Sequence, residues 1–170
     1  RLAACPTGKY SANGQDSPST CQSVPAGSYP SKSATISSPV SSAPYYGIAA
    51  SPDFRKIFAA VCNGYIYGSA DSGVTWTAKT NAGIKGWLFI AATPDMSKLA
   101  ATAGSSIYFS IDGGDSWSHW ASATSQSYQG IACSPDFSSV AVASYKSASS
   151  TGYIYLSRDG GATWTALTGA

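Results

Sequence analysis

The sequence predicts an all-β fold built from three similar four-stranded antiparallel repeats. An eight-residue pattern, Ser-x-Asp-x-Gly-x-(Thr/Ser)-Trp, occurs three times, at 69–76, 110–117 and 157–164. A short aromatic run with strand character precedes each copy, at 65–67, 107–109 and 153–155. Repetition at a period of roughly 40–45 residues is typical of proteins in which each unit buries its apolar face against the next.

The repeating unit extends upstream of this pattern. Each aromatic run is preceded by an apolar segment, a Ser/Thr-Pro-Asp turn (51–53, 93–95 and 134–136) and a second apolar segment. Four runs rich in β-branched and aromatic residues, separated by turn residues, predict four strands per unit. Trp76, Trp117 and Trp164 lie 41 and 47 residues apart, the size of one propeller blade. We therefore expect propeller-blade-like repeats at about 45–80, 87–121 and 128–168, within 45–170, as an incomplete or assembly-completed propeller.

Each residue type in the eight-residue pattern has a structural role in a tight hairpin. Short Asp and Ser/Thr side chains accept hydrogen bonds from nearby backbone N–H groups, and glycine supplies a backbone conformation that strains other residues. The tryptophan packs beneath the hairpin and buries a large aromatic area. The residues predicted to have these roles are Ser69, Asp71, Gly73, Thr75 and Trp76; Ser110, Asp112, Gly114, Ser116 and Trp117; and Ser157, Asp159, Gly161, Thr163 and Trp164.

This pattern resembles the Asp-box (bacterial neuraminidase) repeat of sialidases, sortilin-type receptors and other secreted propellers. The resemblance covers roughly residues 45–168. In that family the box is a structural hairpin on the rim of the propeller, away from the active site. The resemblance therefore implies a fold and leaves the activity open.

The acidic residues do not supply the machinery of a glycosidase. All eight acids are aspartates, and six of them belong to the two kinds of repeated turn. A glycosidase needs two positioned carboxylates, and the sialidase resemblance implies a Tyr–Glu pair and three arginines around the substrate. This sequence has no glutamate and only Arg1, Arg55 and Arg158. We therefore expect a non-enzyme with no catalytic residues.

The sequence predicts no cofactor, metal or nucleic-acid site. The cysteines lack zinc-type spacing, and no phosphate-binding loop is present. Ten basic residues, scattered singly, oppose eight acidic ones, which does not produce the basic patch of a nucleic-acid-binding protein. No apolar run reaches membrane-spanning length.

One aromatic residue has no counterpart in the other repeats. Trp120, together with His119 and Tyr145, is the best candidate for an exposed surface on which a ligand stacks. Ordinary packing of this aromatic residue is the favoured interpretation all the same.

Residues 1–30 form a small cysteine-containing segment. The run from Cys5 to Ser11 (CPTGKYS), followed by Cys21, resembles the cysteine-rich repeat of ephrin-receptor-like extracellular domains. The second copy of that repeat is degenerate because Val24 stands where the next cysteine is expected. The resemblance implies a Cys5–Cys21 disulfide.

The two remaining cysteines, Cys62 and Cys133, lie in different repeats. They are interpreted as a second disulfide, as two buried free thiols or as links to another chain. Four cysteines without catalytic or metal spacing favour an oxidising, extracellular compartment.

Residues 31–44 form a Ser/Pro-rich linker or arm that cannot build a core. A plain linker is one interpretation, and an O-glycosylated segment is the other. The candidate acceptors are Thr35, Ser37, Ser38, Pro39, Ser41, Ser42 and Pro44. Charged residues make up only 11% of the chain, against about 25% in a typical domain. A surface with so little charge is poorly protected against association unless glycans or other copies cover it.

Three repeats are fewer than the four to eight blades of a closed propeller. Such a stack leaves exposed edges and an apolar end face, which self-assembly or strand addition covers in other proteins. The main hypothesis is a secreted structural repeat protein that self-assembles with its own copies into a filament, coat or matrix. The arm would contact the neighbouring subunit. A carbohydrate- or protein-binding module is the alternative, and a non-catalytic fragment of a larger glycosidase-like protein is the third.

Overall fold

The computed structural model describes residues 9–11, 21–23, 42–120, 127–145 and 152–167, the first two ranges by their backbone only. The chain divides into two compact bodies, Arg1–Thr35 and Ile36–Ala170. In the first body, β1 (Lys9–Ser11) and β2 (Cys21–Ser23) pair as an antiparallel two-stranded sheet. The second body contains the repeats.

The second body consists of three four-stranded antiparallel repeats, as the sequence predicts. In each repeat every strand pairs with the next one along the chain. Repeat 1 contains β3 (Tyr45–Ala50), β4 (Ile57–Gly64), β5 (Ile66–Ser69) and β6 (Thr77–Lys79), followed by a 3-10 turn, η1 (Thr80–Ala82). Repeat 2 contains β7 (Lys85–Ala92), β8 (Leu99–Ala103), β9 (Ser106–Ser110) and β10 (Ser118–Trp120). Repeat 3 contains β11 (Tyr128–Cys133), β12 (Val140–Ser144), β13 (Ile154–Ser157) and β14 (Thr165–Leu167).

Backbone hydrogen bonds also connect successive repeats. Strand β4 pairs with β7, where Cys62 lies opposite Gly86, so repeats 1 and 2 share one eight-stranded sheet. At the next connection the N–H of Tyr128 donates to the carbonyl oxygen of Gly104 at 3.1 Å. Repeats 2 and 3 are therefore each bonded to the preceding repeat at the start of their first strand.

The hydrophobic core lies between successive repeats. Side chains alternate along a strand, so each repeat has a forward face, directed toward the next repeat, and a rear face, directed toward the preceding one. The first core cluster combines Phe58, Ala60, Ile66 and Ala82 of repeat 1 with Trp87, Ile90, Met96, Leu99 and Ala101 of repeat 2. The second combines Ala100, Ile107 and Trp120 of repeat 2 with Tyr128, Phe137, Val140 and Val142 of repeat 3. We call these two contacts junction 1–2 and junction 2–3.

Truncation of a side chain in a junction should destabilise the second body. Ile107 is fully buried in junction 2–3. We expect Ile107→Ala to lower the free energy of unfolding by about 2–5 kcal/mol, because it removes buried methyl groups and leaves a cavity. The matched control is Ile111→Ala, at an exposed position just after the same strand, which should change it by less than about 0.5 kcal/mol. Denaturant titration measures both, and equal losses would contradict a core located between repeats.

Candidate assembly interface

The eight-residue patterns form the hairpins between the third and fourth strands of each repeat. In repeat 1 the Ser69 hydroxyl accepts a hydrogen bond from the N–H of Gly73 at 2.9 Å and donates to the Asp71 carboxylate at 2.8 Å. Asp71 also accepts from the N–H of Thr75 at 2.8 Å, and the Trp76 indole donates to the carbonyl of Gly73 at 3.0 Å. The φ of Gly73 is +85°, a conformation that favours glycine.

Repeats 2 and 3 have the same Ser–Asp–Gly hydrogen bonds in their hairpins. The Trp117 indole also donates to the carbonyl of Gly114, at 3.0 Å. Trp164 differs, because its buried indole N–H has no hydrogen-bond partner in the part of the chain that the structure describes. The predicted structural residues therefore meet within each hairpin, and their side chains hold the turn.

The Ser/Thr-Pro-Asp turns connect the first and second strands of each repeat. In repeat 2 the Thr93 hydroxyl donates to the Asp95 carboxylate at 2.6 Å and accepts from the N–H of Lys98 at 3.1 Å. The residue after the aspartate has a left-handed backbone in every repeat, with φ of 55° at Phe54, 62° at Met96 and 66° at Phe137. This conformation is strained for a bulky side chain. We call Phe54, Met96 and Phe137 the anchor residues.

Hydrogen bonds within both kinds of turn lower the pKa of the aspartates. The Thr75 hydroxyl is the main cause at Asp71, and the corresponding hydroxyls act on Asp112 and Asp159; each pKa is lowered to about 2. In the Ser/Thr-Pro-Asp turns, hydroxyl groups lower the pKa of Asp95 and Asp136 to about 2. The pKa of Asp53 is shifted in the same direction, mainly by the Ser51 hydroxyl. These carboxylates are ionised acceptors that stabilise turns.

Trp120 is a packing residue, as the favoured interpretation predicts, and the hypothesis that it forms an exposed ligand-stacking surface is wrong. Trp120 is only 7% exposed, because it lies inside junction 2–3. Its ring stacks on Phe109 with the centroids 4.6 Å apart and contacts Phe137 at 5.7 Å. His119 is exposed but lies on the opposite face of β10, where its ring meets the edge of Tyr108. Tyr145 is exposed after β12, so the three residues do not form one surface.

The interpretation of Cys62 and Cys133 as a disulfide is also wrong, because both are free thiols. Cys62 lies near the end of β4 in repeat 1, and Cys133 ends β11 in repeat 3, at the side of the Ser/Thr-Pro-Asp turns. The two positions are separated by an intervening repeat. Burial raises the pKa of the Cys133 thiol.

Several predictions for residues 1–44 fall outside the described residues. Cys5 is not described, and for Cys21 only the strand backbone is, so this disulfide stays a prediction. Of the proposed glycosylation sites, only Ser42 and Pro44 are described, and both are exposed. The carbonyl oxygen of Pro44 accepts from the N–H of Cys62 at 3.0 Å, which ties this end of the arm to repeat 1.

Within residues 42–120, 127–145 and 152–167, no three potential metal ligands converge on one point. The described part of the chain also contains no helix with the length and apolarity needed to cross a membrane.

The two internal junctions use different side chains at the same positions. In junction 1–2, the Lys79 ammonium binds the Asp115 carboxylate at 2.7 Å. In junction 2–3, Trp120 occupies the position of Lys79 and Ala162 that of Asp115. The indole packs against Gly161 so closely that a Cβ there would lie 2.2 Å from the ring. The two junctions have the same arrangement of strands. The edge of junction 1–2 is polar, and the edge of junction 2–3 is apolar.

Repeat 1 exposes apolar residues on its rear face. Its anchor residue Phe54 is 66% exposed, whereas Met96 is 2% and Phe137 5% exposed. Ile48 is 70% exposed, whereas its equivalent Ile90 is 7% exposed. Tyr45 is exposed as well, at the position equivalent to the buried residues Trp87 and Tyr128. We call Tyr45, Ile48 and Phe54 the rear end face.

Repeat 3 exposes apolar residues on its forward face. Ile154 lies opposite Leu167 in the strand register, as Ile107 lies opposite Trp120 in repeat 2. Ile154 is 51% exposed, whereas Ile107 is fully buried. Leu167 is exposed at the position where Trp120 is buried. We call Ala141, Ile154, Leu156 and Leu167 the forward end face.

A scan against protein-family models gave no match to this sequence, and a search of the curated proteins also gave none. Solved structures with the same arrangement of strands were found. YCF48 from Cyanidioschyzon merolae matches with a TM-score of 0.62 at 18% identity over 78% of this chain. The nidogen/laminin complex matches with a TM-score of 0.63 at 13% identity over 74% of this chain. The GH74 enzyme of Niastella koreensis matches with a TM-score of 0.57 at 25% identity over 72% of this chain.

These neighbours are β-propeller proteins. This chain has a β-propeller fold. Each repeat is therefore one blade, and the junctions are contacts between successive blades. The chain spans 39% of the YCF48 chain, 48% of the chain matched in the nidogen/laminin complex and 17% of the GH74 enzyme.

Acid should destabilise the propeller body between about pH 4 and pH 2. The folded pKa of the turn aspartates lies near 2, below its ordinary value. A lowered folded pKa contributes stability that is present above the unfolded pKa and is lost as the pH falls through the folded pKa. Melting temperatures measured by circular dichroism across this range will test it.

The variant for this test is Asp112→Asn, which removes the carboxylate of one hairpin. We expect a lower melting temperature at neutral pH and a smaller further loss on acidification. Asp115→Asn, in the same hairpin, removes a surface ion pair with Lys79 and none of the side-chain hydrogen bonds that close the turn; it is the matched control and should change the melting temperature less. A melting temperature of Asp112→Asn equal to that of the unmodified protein would contradict the role of the carboxylate.

Proposed function

We propose that this chain is a secreted, non-enzymatic structural protein that assembles with copies of itself into a fibre, coat or matrix. One observation carries the proposal. Both end faces of the described blades expose apolar residues whose equivalents are buried in the internal junctions. Charged residues make up only 11% of the chain. An exposed apolar face on a protein with so few charges is typical of an interaction site.

The free energies of burial and of association favour a contact that involves a whole end face. Full burial of one Ile, Leu or Phe side chain contributes about 1.5–3 kcal/mol, while association costs about 4–15 kcal/mol in lost freedom of motion. A single exposed residue such as Phe54 therefore does not hold two copies together. The combined end faces, with several large apolar side chains each, reach the scale of that cost.

Secretion and O-glycosylation are part of the proposed function. The resemblance of residues 5–21 to an extracellular cysteine-rich repeat supports secretion. The Ser/Pro tract at 31–44 supports O-glycosylation, which would solvate a surface with few charges. We propose that the arm of residues 1–44 contacts the neighbouring copy in the assembly.

A binding module is the second candidate. One of the solved structures with this fold is YCF48 bound to D1 peptide, at 19% identity and a TM-score of 0.61. A peptide or carbohydrate on an end face would cover the same apolar residues. A third candidate, a fragment of a larger glycosidase-like protein, is favoured by the similarity to GH74 enzymes, and further blades of the same chain would then cover the end faces.

The mass of the purified 170-residue protein as a function of concentration tests self-assembly. We expect sedimentation and light scattering to show species larger than the 17.4 kDa chain, and electron microscopy to show regular particles or filaments. Ile48→Ser, on the rear end face, should reduce assembly because it removes apolar area from the contact. Ile111→Ser is the matched control, since this isoleucine is equally exposed but lies on neither end face.

A protein that stays monomeric at all accessible concentrations would overturn the proposal and favour a binding module. Native material in which this sequence continues into further blades that cover both faces would favour the fragment. Equal loss of assembly in both serine variants would show that association is non-specific.

A further inference from the structure

The anchor residues share a strained backbone, but only two of them bury the side chain that it presents. Met96 and Phe137 project from left-handed turns into junctions 1–2 and 2–3. Phe54 has the same conformation, closed by the same hydrogen bond from its N–H to the carbonyl of Ser51 at 2.8 Å. Its side chain meets solvent. The hydrogen bonds of the turn compensate for this strain in all three repeats, and burial in a junction core adds to them at Met96 and Phe137.

The two internal junctions show which surface accepts an anchor residue. In junction 2–3, Phe137 packs against Trp120, which stacks on Phe109, above the small residue Ala100. The phenylalanine anchor therefore packs against a surface formed by two large apolar residues in contact with each other, which we call the walls, and a small one, which we call the floor.

In junction 1–2 the floor position holds Phe58, and one wall position holds Gly68. A Cβ on Gly68 would lie 2.9 Å from the Phe58 ring, so Phe58 already fills this space. The anchor there is Met96, a flexible side chain that adapts to the remaining volume. A small floor residue therefore goes with a phenylalanine anchor, and a large floor residue goes with a methionine anchor.

The forward end face repeats the arrangement that receives a phenylalanine. Ala141 stands at the floor position of Ala100 in the strand alignment, and Leu156 and Leu167 stand at the wall positions of Phe109 and Trp120. All three are only partly covered or exposed. This face has a small floor and two large apolar walls, and among the described residues it has no anchor.

We infer that copies join head to tail, with Phe54 of one copy packed against Ala141, Leu156 and Leu167 of the next. This inference rests on the proposed function and adds the direction of assembly, the two faces and the residue that anchors them. The contact continues the blade order as a third junction. Because the two faces are different, the contact does not close on itself in a dimer, and it propagates into a ring or a filament.

Contact between two rear end faces is the main alternative and lacks this fit. It would bring Phe54 against Phe54, and neither copy would offer a floor and walls to receive it. Contact between two forward end faces would leave both anchors exposed. The head-to-tail arrangement alone pairs an anchor with a matching surface, as size and shape complementarity require.

Two variants that each disable one face test the inference. Phe54→Asp places a charge on the rear end face, and Leu156→Asp places one on the forward end face. Each is expected to weaken self-association about 100-fold or more, because a charge replaces an apolar anchor or wall in the contact. Ile111→Asp, outside both faces, is the control and should assemble like the unmodified protein. Melting temperatures confirm that each variant is folded.

The mixture of the two variants gives the decisive result. The Phe54→Asp copy keeps a working forward end face, and the Leu156→Asp copy keeps a working rear end face. An equimolar mixture should therefore form dimers of one copy of each and stop there, as measured by sedimentation and native mass spectrometry. Each variant alone should remain monomeric.

Other outcomes overturn the inference while the proposed function stands. Leu156→Asp molecules that still dimerise alone would show a rear-to-rear contact, and Phe54→Asp molecules that do so would show a forward-to-forward contact. A mixture that stays monomeric, or single variants that still form long assemblies, would show that the copies meet elsewhere. An unmodified protein that never assembles overturns the proposed function itself.

Discussion

The burial of apolar side chains between successive blades is the constraint on which the rest of this structure depends. Each four-stranded sheet, with strands of three to eight residues, has apolar residues that it cannot bury by itself. Each four-stranded sheet is stabilised when its rear face covers the forward face of the preceding blade, and the two core clusters lie at these contacts. A repeat protein of this kind has no central core that all blades share, and its stability is a sum over neighbours.

The repeated turns serve these contacts. The Ser/Thr-Pro-Asp turn fixes the left-handed backbone of the anchor residue, and the eight-residue hairpin places glycine where the preceding blade packs most closely. Gly114 and Gly161 meet Phe58 and Trp120 respectively. The ionised aspartates therefore stabilise both the turns and the positions of the residues that pack between blades. They orient the side chains through which one blade recognises the next.

Among the described blades, the two end blades differ from the middle one because each has a neighbouring blade on one side only. Repeat 2 contributes to both core clusters, whereas repeats 1 and 3 each contribute to one. The exposed faces nevertheless keep the apolar character of the buried ones, with Ile48 and Phe54 on one side and Ile154 and Leu167 on the other. Terminal repeats that end in solvent usually carry a polar outer face. These two carry the residues of a junction, which is why we propose that further copies cover them.

The sequence by itself determined the repeat length, the four strands of each blade and the hydrogen bonds of both turns, because these depend on residues close together in the chain. It favoured packing of Trp120 but did not place this residue in the core between two blades, because the partner that it contacts, Gly161, belongs to the next blade. It also gave no sign that Phe54 differs from Met96 and Phe137, which occupy the same position in the turn. Only the tertiary structure decided which anchors are buried, because burial depends on whether another blade packs against the face, and the local sequence of a turn is the same in either case.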